Sequence, residues 1–294
     1  MALLSLKELY NGYDTHFAVA AFNVHNLEYA QGVMMAAEAE NAPVILMVGA
    51  GMSKYCGLGW MAAVCKYAAE DTHLPVVLHL DHAKDLELIV RAIQAGFTSV
   101  MFDGSHLPYE ENVAQTRRVV EIAHAAAVSV EGELGAIAGV EDDLQVSKDL
   151  LTDPAQAEAF VRETGVDALA VSIGNRHGLY QQPADLDFQR LAAIKGRVEV
   201  PLVLHGGSDI PDAHVRRAVA LGIWKYNVAT DLKIAFTNAL RARLGETDSC
   251  EPPATLGAAR EAVKELARKK MQLLGCSGQG GRWKAPAQNR EVLR

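Results

Sequence analysis

Hydrophobic positions along the chain gather into eight short runs, each followed by a stretch of helical periodicity. The runs cover residues 17–23, 43–48, 75–80, 97–102, 127–134, 168–173, 201–205 and 223–228. Most are continuously apolar rather than alternating, which marks parallel strands covered on both faces. Between them, 86–95 and 112–127 read as helices. Asp153-Pro154 ahead of 155–164 reads as an N-cap followed by proline in the first turn. Eight such β/α units predict an α/β protein of the (β/α)8 TIM-barrel class. An open doubly wound sheet is the alternative, and it more often stops at about five or six strands. No Pro/Gly/Ser-rich linker interrupts the pattern, so the expectation is one domain over residues 1–294. The polar tail, 277–294, is either a mobile end or a segment folded over the barrel mouth.

Composition narrows the function classes. The chain is 50% hydrophobic and 22% charged, an ordinary globular balance. A formal charge of −8 argues against nucleic acid as a partner, because neutralising phosphates takes a basic face. No apolar run approaches the roughly 18 residues of a membrane-spanning helix. The N-terminal Met1-Ala2-Leu3-Leu4-Ser5-Leu6-Lys7-Glu8 has no secretory signal pattern. The four cysteines, Cys56, Cys65, Cys250 and Cys276, form no CxxC pair and read as reduced thiols of a cytoplasmic protein.

Active sites of this fold sit where the strands end. The polar residues at those ends are Asn23, Asp81, His82, Asp103, Glu131, Glu133, His177, His205 and Asn227. His82, His177 and His205 come from three separate strand ends. They match the three protein ligands of a catalytic zinc with its fourth position open. Their wide spacing excludes a finger-type structural site. Asp103 and Glu133 are either ligands of an alternative or second metal position, or hydrogen-bond partners of the ligand histidines. Among the other histidines, His16, His73, His124 and His214 read as ordinary loop or helix residues and His79 as a core residue. His25 and His106 follow strand ends and stay open. Gly206-Gly207-Ser208 follows the seventh run and Asn227-Val228-Ala229-Thr230 the eighth. Loops at these two places often cradle a phosphate with backbone N–H groups and a helix N-terminus.

These residues resemble the class II (zinc-dependent) ketose-bisphosphate aldolases, in the tagatose- and fructose-1,6-bisphosphate branch, from about Leu6 to Gly278. The resemblance rests on Ala21-Phe22-Asn23-Val24, His79-Leu80-Asp81-His82, Phe102-Asp103-Gly104-Ser105, Glu131-Gly132-Glu133-Leu134-Gly135, Gly139-Val140-Glu141-Asp142-Asp143, His177-Gly178, His205-Gly206-Gly207-Ser208 and Asn227-Val228-Ala229-Thr230. It implies catalytic Zn2+ on His82, His177 and His205. It implies dihydroxyacetone phosphate on Gly178, Gly206, Gly207, Ser208 and Asn227–Thr230, with Asn23 at the same rim. Some backbone carbonyls there would hold Na+ or K+. Asp81 would be the acid/base on the hydroxyl at the breaking bond. Glu141, on a mobile loop, would handle the carbon-bound proton, and Asn227 would steady the enolate. A homodimer or homotetramer is the implied assembly.

Two positions depart from the family pattern. Gly49 stands where Ser or Thr is usual, and Asn175-Arg176 precedes His177 in place of Gly-Thr and a small residue. Both are expected to face the aldehyde half of the substrate. Arg176 offers a planar fork to a terminal phosphate, or to a sulfonate as in 6-deoxy-6-sulfofructose 1-phosphate, which would yield sulfolactaldehyde. Pairing of Arg176 with a local acid, or its exposure to solvent, is the plain alternative. The functions competing with a zinc aldolase are another metal-dependent barrel enzyme, a hydrolase or epimerase, and a non-catalytic aldolase subunit.

Overall fold

The computed structural model describes residues 3–70, 72–141, 144–146, 150–180, 184–246, 248–249 and 251–285, with backbone only at 140, 141 and 144–146. The eight apolar runs become the eight strands of a closed parallel barrel. The first five are β1 (Val19–Asn23), β2 (Val44–Gly49), β3 (Val76–Ala83), β4 (Ser99–Phe102) and β5 (Ser129–Leu134). A two-stranded antiparallel hairpin follows, β6 (Gly139–Glu141) and β7 (Leu144–Val146). The barrel then resumes with β8 (Ala168–Val171), β9 (Leu202–Leu204) and β10 (Ile223–Val228), and β10 pairs with β1 to close the ring. Every described residue of the barrel strands is buried, which explains why their sequences do not alternate.

The helices are α1 (Leu6–Asn11), α2 (Leu27–Glu40), α3 (Ala50–Cys56), α4 (Leu58–Glu70), α5 (Leu86–Ala95), α6 (Tyr109–Ala125), α7 (Pro154–Thr164), α8 (Phe188–Lys195), α9 (Asp212–Ala220), α10 (Thr230–Glu246) and α11 (Pro252–Leu274). Their boundaries are set by local chemistry. Asp85 caps α5 by accepting the Leu88 N–H, and Gly96 ends it in the left-handed conformation at φ 91°. Asp153 accepts N–H groups from Ala155 and Gln156 at the start of α7, with Pro154 in its first turn.

The two rims of the barrel are closed differently. α1 plugs the rim where the strands begin. Leu6 and Leu9 are buried there, the Leu4 N–H bonds the carbonyl of Val76 at 2.9 Å, and a Ser5–Glu8 capping box starts the helix. Residues 277–285 also lie at this rim. The Gly278 N–H bonds the Glu40 carbonyl and the Gly280 N–H bonds the Asn41 carbonyl, both at 2.7 Å, while the indole of Trp283 donates to the Glu8 carbonyl. Arg282 and Lys284 therefore stand at the end of the barrel away from the strand C-termini, so these residues do not fold over their own mouth. Residues 286–294 of the expected tail lie outside the described residues. Among the described residues no helix is long and apolar enough to cross a membrane. Cys56, Cys65 and Cys276 are free thiols.

Candidate metal centre and active site

The site begins with an irregularity in β3. Leu80 pairs with Val100 and Ala83 with Phe102, so one extra residue is inserted opposite β4. Strict alternation would send Asp81 into the barrel and His82 to the outside. The bulge instead puts His82 in the left-handed region at φ 50°. Its backbone N–H meets the Met101 sulfur at 3.4 Å, and both side chains reach the mouth. A non-glycine residue held there carries about 1–3 kcal/mol of strain, typical of functional positions.

His205 immediately follows β9. His177 lies farther from its strand, in the loop after β8, held by a bridge to Gly139 and by its N–H on the Ala138 carbonyl at 2.8 Å. The three rings meet nearly edge-on, with centroids 4.6 Å apart for His82–His205, 5.1 Å for His82–His177 and 6.0 Å for His177–His205. One ligand atom from each lies within 4.8 Å of the others. His82 Nδ1 sits 3.1 Å from Asp103 and His205 Nε2 sits 2.8 Å from Glu131. These carboxylates fix which ring nitrogens carry hydrogen. His82 Nε2 and His205 Nδ1 are left facing each other at 2.9 Å. Two facing ring nitrogens at that distance need a cation between them, a shared proton or a metal ion.

The surrounding charges agree. Burial opposes charge on His82, but Asp81, Asp103 and Glu133 outweigh it and hold its pKa well above the usual imidazole range. Burial and the charge on His82 push His205 well below that range. Asp103, although buried, is held well below the usual carboxylate range by His82 and the Ser105 hydroxyl. Burial and the neighbouring Asp103 push Glu133 well above it. The pocket is thus built to hold positive charge. His82, Asp103 and Glu133 form a second group able to take a metal, with ligand atoms within 4.8 Å. Asp103 also sits within hydrogen-bond reach of His82, so both expected roles are compatible with its position.

The remaining expected residues ring this centre. Asp81 accepts a hydrogen bond from the Asn227 amide at 3.3 Å, and Asn227 also lies 3.4–3.5 Å from the His205 ring nitrogens. Asn23 is 1% exposed, yet neither its oxygen nor its nitrogen has a hydrogen-bond partner. A buried amide with neither atom paired is unusual in a folded chain. Ser208 is buried and its hydroxyl accepts the Asp231 N–H at 3.0 Å, which joins the Gly206–Ser208 loop to the start of α10. Val228 ends β10, and Ala229 and Thr230 lead into α10. Gly178 takes φ 88° directly after His177. Arg176 is exposed at the mouth and its N–H donates to the Tyr180 hydroxyl. Gly49 pairs with Asp81 across β2 and β3. Glu141 ends β6, but its side chain, like Asp142 and Asp143, lies outside the described residues. His25 packs edge-on against Tyr29 and His106 is exposed; neither belongs to a metal group. His79 is a core residue, bonded to the Ser99 hydroxyl at 2.8 Å.

Sequence reasoning missed the floor of the site. Glu131, expected at the rim, lies inside the barrel and bridges His205 Nε2 and Lys225 Nζ, the latter at 2.9 Å. Lys225 is 0% exposed. Its signal was a lone cation inside the apolar run Ile223-Trp224-Lys225-Tyr226. Lys225→Met removes one member of a buried ion pair, which is expected to destabilise the fold by about 3–5 kcal/mol. Adding Glu131→Gln should recover most of that loss. Urea unfolding of chelated protein measures both variants, and an unperturbed midpoint for Lys225→Met would remove the ion pair from the stability argument.

Comparisons with known proteins point the same way. The family described as fructose-bisphosphate aldolase class-II matches residues 5–279. The D-tagatose-1,6-bisphosphate aldolase subunit GatY of Klebsiella oxytoca is 49% identical over 266 residues, covering 90% of this chain and 94% of that protein. The crystal structure of the YdjI aldolase from Escherichia coli K12 superposes with a TM-score of 0.84 at 34% identity, covering 95% of this chain and 99% of that one. Fructose-bisphosphate aldolase from Campylobacter jejuni superposes at 0.77 with 25% identity, covering 94% and 96% of the two chains.

Proposed function

The chain belongs to the class II fructose-bisphosphate aldolase family, and from that premise we propose that it cleaves a ketose 1,6-bisphosphate with zinc as its metal. The products are dihydroxyacetone phosphate and a phosphorylated three-carbon aldehyde, and tagatose 1,6-bisphosphate is the first candidate substrate. The observation that carries the reading is the convergence of His82, His177 and His205 beside the buried Asp81. The identity to a tagatose-bisphosphate aldolase subunit supports the choice of sugar. A hydrolase or an epimerase would be out of keeping with the family.

A zinc ion bound to the three histidines supplies Lewis-acid stabilisation of the negative charge that develops on the substrate. Asp81 takes the C4 hydroxyl proton as the C3–C4 bond breaks, and returns it in the condensation direction. Asn227, bonded to Asp81 and beside His205, donates to the enolate oxygen. Glu141 delivers the proton to the carbon freed by cleavage, and its place on a hairpin suits a group that shields that carbon from water. Gly178, Gly206, Gly207, Ser208 and 227–230 hold the phosphate of the dihydroxyacetone half, which anchors the substrate away from the reacting atoms. The unpartnered amide of Asn23 contacts the same half. A sodium or potassium ion on the backbone carbonyls of these loops, and a second metal position on Asp103 and Glu133, belong to the same reading. So do a cytoplasmic location and a homodimer or homotetramer.

A second reading keeps the reaction and changes the aldehyde. Gly49 offers no hydroxyl beside Asp81, and Arg176 presents an exposed guanidinium, so a sulfonated ketose 1-phosphate competes with the bisphosphates. The deciding experiment measures dihydroxyacetone phosphate release by the zinc-loaded chain alone. The panel is tagatose 1,6-bisphosphate, fructose 1,6-bisphosphate and 6-deoxy-6-sulfofructose 1-phosphate, each with wild type and Arg176→Ala. Chelator-sensitive release, fastest from tagatose 1,6-bisphosphate, is expected. Arg176→Ala should raise KM about tenfold for the preferred sugar, the size of one charge-assisted hydrogen bond. No release from any of the three sinks the proposal for the isolated chain. An unchanged KM takes Arg176 out of the site.

A further inference from the structure

Two tyrosines hold consecutive carbonyls of the glycine pair after β9. The Tyr180 hydroxyl accepts the Arg176 N–H at 2.7 Å and donates to the Gly206 carbonyl at 3.3 Å. The Tyr226 hydroxyl donates to the Gly207 carbonyl at 2.7 Å. Arg176 precedes the ligand His177, and Gly206 follows the ligand His205. Tyr180 therefore ties together the two loops that carry those histidines. Asn175 adds a second tie, donating from its amide to the His205 carbonyl at 3.0 Å. The loops touch at the backbone: a Cβ on Gly206, which sits at φ 62°, would fall 2.0 Å from the Arg176 carbonyl oxygen.

Tyr226 acts on the next peptide. Along β10, Lys225 and Asn227 reach Glu131 and Asp81 inside the barrel, so Tyr226 between them faces outward. It is 0% exposed, and burial pushes its hydroxyl well above the usual phenol range, so it stays a hydrogen donor. In a trans peptide the C=O and the following N–H point in opposite directions. Holding the Gly207 carbonyl outward turns the Ser208 N–H inward, over the mouth. The preceding peptide is held at both ends, since the Gly207 N–H bonds the Asn227 carbonyl at 3.1 Å. Position 207 has to be glycine in this arrangement, because a Cβ would fall 2.3 Å from the Tyr226 ring.

We propose that Tyr226 and Tyr180 are positioning residues with separate tasks: Tyr226 aims the Ser208 N–H at the substrate phosphate, and Tyr180 holds His177 and His205 in register for the metal. The inference rests on the reading of the 206–208 loop as a phosphate cradle. Its test uses Tyr226→Phe and Tyr180→Phe, which remove only the hydroxyls, with inorganic phosphate and Co2+ as the probes. Tyr226→Phe is expected to weaken phosphate binding about five- to tenfold and leave Co2+ affinity within about twofold, as for one lost hydrogen bond. Tyr180→Phe is expected to weaken Co2+ about tenfold, the lower end for groups that orient metal ligands. Lower melting temperatures with both affinities unchanged would overturn the inference and leave the tyrosines a purely structural role. A measurement on wild type keeps the test open should a variant fold poorly: in 15N-serine-labelled protein, phosphate should shift the Ser208 amide strongly, and an unmoved Ser208 amide overturns the role of Tyr226. A wild type that binds no phosphate at all would overturn the cradle reading itself, an outcome distinct from equal binding by wild type and Tyr226→Phe.

Discussion

Asp81→Asn is expected to leave the fold and metal content intact and to lower kcat for cleavage by about 10²–10⁴-fold, the range a positioned general base supplies. Asparagine keeps the shape of a side chain that is only 1% exposed, and it can still accept from the Asn227 amide. What it loses is the ability to take the C4 hydroxyl proton. The condensation direction should fall by the same factor, because one group serves both. Exchange of a carbon-bound proton of dihydroxyacetone phosphate with solvent is assigned to Glu141, so it should persist in Asp81→Asn. Cleavage rates and tritium or deuterium exchange from one preparation make the check. If exchange collapses together with cleavage, Asp81 is acting on the geometry of the whole site and its role as the hydroxyl base fails.

The sequence carried the barrel because burial on both faces leaves a plain mark. Each of the eight apolar runs overlaps one barrel strand, and strand ends then select the rim residues without further information. Helix termini were legible for the same local reason, as at Asp153-Pro154, where capping chemistry lies within a few residues. Features made by contacts distant in sequence were not legible. The left-handed His82 arises from a register shift between β3 and β4, and nothing in Leu80-Asp81-His82 encodes it. The β6–β7 hairpin is too short and too polar to stand out from a loop. The polar tail left a mobile end and a cover over the mouth both open, but hydrogen bonds to Glu40, Asn41 and Glu8 place its described part at the other rim.

Lys225 and Glu131 show a different limit. Each was visible as a charge within an apolar strand, but their pairing under His205 depends on strands remote in the chain. Layers inside such barrels are usually filled by branched apolar side chains. Here His79, Glu131 and Lys225 occupy that space, with His79 3.8 Å from Glu131 and 3.9 Å from Asp81. The polar floor runs under both the histidine cluster and Asp81. A buried ion pair is seldom the most stabilising filling. Here the same Glu131 also holds His205 Nε2, which leaves Nδ1 facing His82.

Metal removal should have the largest effect, abolishing cleavage and proton exchange together while the barrel stays folded. The core does not depend on the ion: the barrel strands are buried against one another and against the helices, and the three histidines cluster at one rim. Two substitutions then separate metal binding from folding. His205→Ala strands Glu131 without its ring partner above Lys225, so it should lose stability as well as metal. His177→Ala acts in a loop held mainly by backbone contacts with Ala138 and Gly139, so its fold should be nearly unchanged. Its metal affinity should fall by at least about 100-fold, beyond the 10- to 100-fold span of groups that merely orient ligands. Added metal should raise the melting temperature of wild type in proportion to the logarithm of its concentration over Kd, with a much smaller rise in His177→Ala. Thermal unfolding across a Zn2+ or Co2+ series reads both numbers. Equal metal-induced stabilisation of wild type and His177→Ala would remove His177 from the centre and leave the ion to His82, Asp103 and Glu133.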